Sequence, residues 1–181
     1  MTSPSTTLVN EQVKSLLWLN PEPMNMWDCF QINPMGDIPY SFRLFSSNFG
    51  DAALTNLAVP STPPLSHLGK MATVCSWWLA LPEALYTPIT RLKTALHYTV
   101  VTLKVNDKPV LSERGSNLLA RNDIFLPLPR ETTFEADVLF APEALKHLGV
   151  LQAYIAGSDY DSPRVYLHLA GFRHLGASGK Q

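Results

Sequence analysis

Residues 95 to 140 decide the fold: ALHYTVVTLKV (95–105), NDKP (106–109), VLSERGSNLLARND (110–123), IFLPLP (124–129) and RETTFEADVLF (130–140). They read as strand-like runs separated by turn chemistry. In the first run Leu96, Tyr98 and Val100 share one face, after which the apolar set becomes Val101, Leu103 and Val105, with Thr102 and Lys104 opposite. Side chains alternate with period two, so one extra residue flips the set, and the slip predicts a bulge or strong bend near Val100 and Val101. Asn106-Asp107 supplies a turn, because both residue types tolerate unusual backbone angles, and Pro109 restrains the entry to the next run. Phe134, Ala136, Val138 and Phe140 alternate with Glu135 and Asp137, the pattern of a half-buried antiparallel strand. The block shows no comparable helical period.

Outward from this block the same pattern repeats. Trp27 to Ile32 and Tyr40, Phe42 and Leu44 read as short strands around the loop PMGDIP (34–39). MATVCSWWLAL (71–81) is apolar on both faces, which predicts a central strand buried on both sides. VPSTPPLS (59–66) is a proline-rich connector, EQVKSLLWL (11–19) suits either a helical turn or an extended run, and LPEALYTP (81–88) suits a loop or short helix. APEALKHLG (141–149) is the clearest helix signal: Pro142 fits the first helical position, Glu143 the positive end and Gly149 the stop, giving about two turns. VLQAYIAG (150–157) and RVYLHLAGF (164–172) then read as a hairpin around SDYDSP. Eight or nine short antiparallel strands, one or two short helices and no βαβ alternation predict an all-β, jelly-roll-like β-sandwich. The expected organisation is a polar N-terminal arm (1–10), one sandwich domain (11–173) and a C-terminal tail (174–181).

Of 181 residues only 16% are charged, with a formal net charge of −1, against about 25% in an ordinary soluble domain. A surface this neutral is expected to be covered by uncharged polar groups or by a partner. The near-zero charge argues against a basic arm that neutralises nucleic-acid phosphate. MTSPSTTLVN lacks the charged start and apolar core of a secretory signal, and no run approaches the roughly 20 apolar residues of a membrane span. Cys29 and Cys75 lie in apolar surroundings and are expected to be reduced thiols in a chain folded in the cytoplasm, although their spacing permits a disulfide.

Catalytic patterns are missing. There is no nucleophile elbow, HExxH, P-loop, dinucleotide glycine fingerprint or CxxC pair. Of His67, His97, His147, His168 and His174, the last two fall on one strand but roughly 20 Å apart, too far to share a metal. Asp159 and Asp161, beside Ser158 and Ser162, are too few for a calcium loop. Glu135 and Asp137 share a face about 7 Å apart, a spacing open to a glycosidase pair or to a solvated sheet face. Trp77 and Trp78 are adjacent and must point to opposite faces, so they cannot form one sugar platform. Ser76 and Ser112 lack an activating neighbour. Arg114, Arg121 and Arg130 are offset by Glu113, Asp123 and Glu131. No catalytic, cofactor or metal residue is therefore assigned, and no enzyme activity or cofactor is expected.

The hairpin Val105-Asn106-Asp107-Lys108-Pro109-Val110 and the later Leu126-Pro127-Leu128-Pro129 resemble the VNxKxV hairpin and LPLP segment of jelly-roll virion proteins, over about a quarter of the chain. The resemblance implies a structural subunit of a virus or phage particle (capsid shell, vertex or accessory protein) that folds in the host cytoplasm and resides in the virion. Such a subunit would self-associate and contact other virion proteins, with its polar arms reaching onto neighbours. Two other classes stay open. A β-sandwich module for carbohydrate or peptide requires an exposed aromatic cluster, for which Trp18, Trp27, Tyr154, Tyr160 and Tyr166 are candidates. A cupin-like jelly-roll enzyme requires closely spaced histidines with a downstream glutamate, a pattern this chain lacks.

Overall fold

The computed structural model describes residues 21–46, 54–56, 71–81, 88–129, 132–160 and 162–174. The elements are β1 (Pro21–Gln31), β2 (Ser41–Leu44), β3 (Met71–Ala80), α1 (Pro88–Leu96), β4 (Thr99–Val105), β5 (Lys108–Arg114), a 3-10 turn at Asn117–Leu119, β6 (Asn122–Leu128), β7 (Phe134–Phe140), α2 (Pro142–Ala156) and β8 (Arg164–His174). The readings of 1–10, 11–19, 59–66, 82–87 and 175–181 lie outside the described residues.

The eight strands form two four-stranded sheets, in the orders β1-β8-β3-β6 and β2-β7-β4-β5, with every pair antiparallel. β4 pairs with β5, β3 with β6, β2 with β7 and β1 with β8. This is one long hairpin folded at the β4–β5 turn and wound over a common core, the strand order of a jelly roll. The all-β sandwich expected from the sequence is the observed architecture.

The turn at the centre of this nesting is the predicted one. Asn106 and Asp107 both have positive φ, 51° and 61°, and join Val105 to Lys108 as a two-residue loop. Asn106 also ties the turn to the β6–β7 connection: its N–H donates to Thr133 O at 2.9 Å, and its Oδ1 accepts the Thr133 N–H at 3.0 Å.

The expected bulge near Val100 and Val101 is not there. α1 ends at Leu96 and β4 begins at Thr99, so the slip in apolar phase marks a helix-to-strand junction. Thr99, Val101 and Leu103 face the core in unbroken alternation. The irregularity of this hairpin falls in β5, where Leu103 opposes Leu111 but Lys104 opposes Pro109, leaving Val110 as the extra residue.

The helix at 141–149 is also longer than expected, and the strand at 150–157 does not exist. α2 runs through Gly149 to Ala156 because Ala144, Leu148, Leu151 and Ile155 form one buried stripe at helical spacing. Gly149 is tolerated inside it. β8 takes its partners from β1 and β3 instead of from a local hairpin.

Burial follows the alternation. Val165, Leu167 and Leu169 of β8 face inward with Met26 and Phe30 of β1 and Trp77 and Leu79 of β3. Opposite them stand Val101, Leu103, Ala136 and Val138, and Phe30, Phe42 and Phe140 meet between the sheets with ring centroids 5.1 to 5.8 Å apart. Buried Asp28 accepts the N–H of Phe45 at 2.5 Å and its neighbour Cys29 N–H at 2.8 Å. The first bond holds Phe45 at a φ of 61°, a left-handed conformation that costs a phenylalanine energy.

The four odd-to-even connections share one end of the sandwich. α1 packs against α2. Gln152 of α2 donates from Nε2 to Asn33 O and Gly36 O, holding the β1–β2 loop. Ser116 N–H donates to Leu96 O, and Ala141 N–H to Tyr98 O. The β4–β5 and β6–β7 connections occupy the other end.

β3 bulges between Val74 and Ser76, and β8 places Gly171 opposite. A Cβ on Gly171 would lie 1.9 Å from Thr73 O, so the strands could not keep their spacing. Gly171→Ala is expected to destabilise the fold by on the order of 3 kcal/mol. Gly149→Ala, whose Cβ meets nothing within 4 Å, is expected to stabilise it by about 0.5–1 kcal/mol. Urea denaturation of the two variants checks both signs.

Candidate interaction site

The outer faces of the two sheets differ in chemistry. On the β2-β7-β4-β5 sheet, Glu135 and Asp137 of β7 lie between Arg43 of β2 and Lys104 of β4. Arg43 reaches both carboxylates at 3.5 Å, and Lys104 reaches Glu135 at 3.4 Å and bonds Asp137 more closely. The hydrogen bond to Asp137 is the main reason that the Lys104 pKa lies above its ordinary value. The two carboxylates are thus tied into a cross-strand ion network, the arrangement of a solvated sheet face.

The outer face of the β1-β8-β3-β6 sheet carries an aromatic row. The register sets Trp27 opposite His168 and His168 opposite Trp78. Trp77 opposes Asn122, which brings Arg121 beside Trp78 from the other side. The His168 and Trp78 rings stack at 4.9 Å and 5°, and the Arg121 guanidinium sits 5.3 Å from the Trp78 ring centroid. Arg121 Nε donates to the buried Ser76 hydroxyl at 2.9 Å, which fixes the guanidinium in place. Tyr166 closes the row, edge-on to Trp27 at 5.5 Å and tilted to His168 at 6.4 Å. Trp77 points into the core, as expected, so the two tryptophans form no joint platform. Trp78 is flanked on both sides by its own sheet, and the row is self-stacked.

The remaining sequence candidates do not converge. His97 is exposed beyond α1, and His147 on α2 stacks on Tyr98 at 6.1 Å with Arg91 3.5 Å from its Nδ1. β8 ends at His174, while His67, Arg130, Glu131, Asp161 and Trp18 lie outside the described residues. Ser112 shares a hydrogen bond with Thr102 at 2.9 Å, and Glu113 accepts from Asn117 at 2.8 Å. Asp123 is exposed on β6, and Cys29 and Cys75 are free thiols, the first buried and the second half-buried. Among the described residues no group of three or more His, Cys, Asp or Glu side chains is arranged to hold a metal ion. No described helix is long and apolar enough to cross a membrane. A cleft of about 320 Å³ opens between the β1 and β2 edges, lined by Phe30, Gln31, Ser41, Phe42 and Leu44 with Cys29. Its lining includes no histidine or carboxylate that could act as a general base.

The exposed apolar side chains are the feature that sequence reading missed. Met35 is 78% exposed in the β1–β2 loop, Phe125 is 73% exposed at an outward position of β6, and Tyr40, grouped by the sequence with Phe42 and Leu44, is 69% exposed because β2 begins only at Ser41. The two tyrosines Tyr154 and Tyr160, which the sequence did single out, are exposed and stack at 5.9 Å.

No protein-family model matches the chain, and none of the curated proteins does. Among solved structures it is similar to dimeric latent PorU from Porphyromonas gingivalis at 11% identity and a TM-score of 0.21. That match covers 87% of this chain but 10% of PorU, and at this similarity it carries no argument about fold or function.

His168 offers a test of the aromatic row. Its Nδ1 is buried with no hydrogen-bond partner among the described residues, and burial lowers its pKa from 6.5. The unfolded chain therefore binds a proton there at a pH where the folded chain does not. The stability contribution is complete above pH 6.5 and is lost as pH falls from there through the lower folded value. The urea midpoint of the wild type is expected to drop between about pH 7 and pH 5 more than that of His168→Phe, which keeps a stacking ring without a titrating nitrogen. Parallel profiles would contradict this.

Proposed function

We propose that the chain is a structural subunit of a virus or phage particle that acts by self-assembly through its jelly-roll sandwich. The observation that carries this reading is the surface: large apolar side chains stand exposed on a chain of which only 16% is charged. Such a surface favours association in water. The edges of the sandwich argue for faces and loops, not strand addition, as the contacts. β5 carries Lys108 and Pro109 and β6 carries Pro127, devices that block pairing with a further strand. The aromatic row and the ion network brace the two outer faces, and the described residues bring no nucleophile and base together.

A second reading is a β-sandwich module that binds carbohydrate or peptide. The exposed Tyr154–Tyr160 stack at the end of α2 favours it, since paired tyrosine faces suit a sugar ring or an extended chain.

The two readings separate by mass. Light scattering of the purified chain over a concentration series is expected to show a trimer, pentamer or larger closed species, with particles visible by electron microscopy. A strict monomer at high concentration, together with a positive glycan array, would favour the binding module.

A further inference from the structure

We infer that the helix-bearing end of the sandwich, centred on α2, is the surface through which one copy of this chain meets a second. The inference rests on the assembly reading above and names its contact. Eleven large apolar side chains are exposed among the described residues, and eight of them gather at this end. Four surround α2: Met35, Val150, Tyr154 and Tyr160. The other four lie where the β2-β7-β4-β5 sheet meets the helices: Tyr40, Tyr98, Val100 and Leu139.

The two groups meet at Tyr98, while Met35 stands on the far flank of α2 from Val150 and Tyr154. Gln152 holds the loop that carries Met35 against α2 through its bonds to Asn33 O and Gly36 O. Tyr160 stacks on Tyr154. Leu139 and Val100 are cross-strand partners, and the Phe140 N–H donates to Tyr40 O. Tyr98 bridges the groups by stacking on His147 of α2.

Area and charge both point to a second copy. An aromatic side chain offers roughly 150–250 Å² and an aliphatic one less, so at their exposures these eight leave on the order of 700 Å² of surface uncovered. That total is comparable to the ~800 Å² that each partner buries in a stable interface. The exposed face of α2 carries Glu143 and Lys146, one turn apart and opposite in sign. A two-fold axis that sets the Glu143 of one copy against the Lys146 of the other would make like surfaces attract instead of repelling. The ion network covers the middle of the adjoining sheet face and sets the boundary of the patch.

The test uses charge insertion in the full chain, read by analytical ultracentrifugation. Val150→Glu with Tyr154→Glu, and separately Leu139→Glu, replace exposed side chains, so far-UV circular dichroism and the thermal midpoint should stay close to wild type. Each is expected to weaken association at least about tenfold. Phe125→Glu, on the β1-β8-β3-β6 sheet away from this end, is the control and should leave association unchanged. Wild-type assembly that survives both helix-end variants, or that Phe125→Glu disrupts equally, would overturn the helix-end contact while leaving the assembly reading intact. A wild-type chain that stays monomeric would overturn both.

Discussion

The nested antiparallel pairing of the chain is the constraint on which the rest of the structure depends, and the Asn106-Asp107 turn is its centre. Both residues hold a positive φ that reverses the chain in two residues and fixes the β4–β5 register. Each outer pair, β3 with β6, β2 with β7 and β1 with β8, then folds over the one inside it. Because strand side chains alternate, the register of these pairs decides which residues are core and which are surface. In β8 it sends Val165, Leu167 and Leu169 inward and Tyr166 and His168 outward.

The nesting also sorts the connections between the two ends. The helices, the β1–β2 loop and the 3-10 turn are left together at one end, where Gln152 of α2 ties the β1–β2 loop, His147 of α2 stacks on Tyr98, and the Ser116 N–H ties the 3-10 turn to Leu96 of α1. Two outer faces of unlike chemistry result: one carries an ion network, the other a self-stacked aromatic row. The exposed apolar side chains then concentrate at the helix-bearing end, which is why association is assigned there.

What the sequence revealed was local. The turn, the β7 alternation and the opposite faces of Trp77 and Trp78 follow from period-two patterning and residue chemistry within a few positions. The central position of β3 follows from a run apolar on both faces, although its outer side chains Cys75, Trp78 and Ala80 are half-buried and not buried as that run predicts. What it concealed depended on distant partners. Gly149 looked like a helix stop because its local cost is visible, whereas the contacts that keep Leu151 and Ile155 buried in the same helix are not. The phase slip at Val100 could mean a bulge or a junction, and only the packing of α1 decides. Trp27, Trp78, Arg121 and His168 are scattered along the chain and become one row only once the register of four strands is set. Exposed residues such as Met35 carry no periodic signal at all.

The most direct test of the account is hydrogen–deuterium exchange of the chain at low and high concentration. The account predicts that association slows exchange in α2 and in residues 33–40 and 157–160, and leaves the Asn106-Asp107 hairpin and the β6 edge unchanged. Slowing confined to β6, or to the outer face of the sheet that carries the aromatic row, would contradict it.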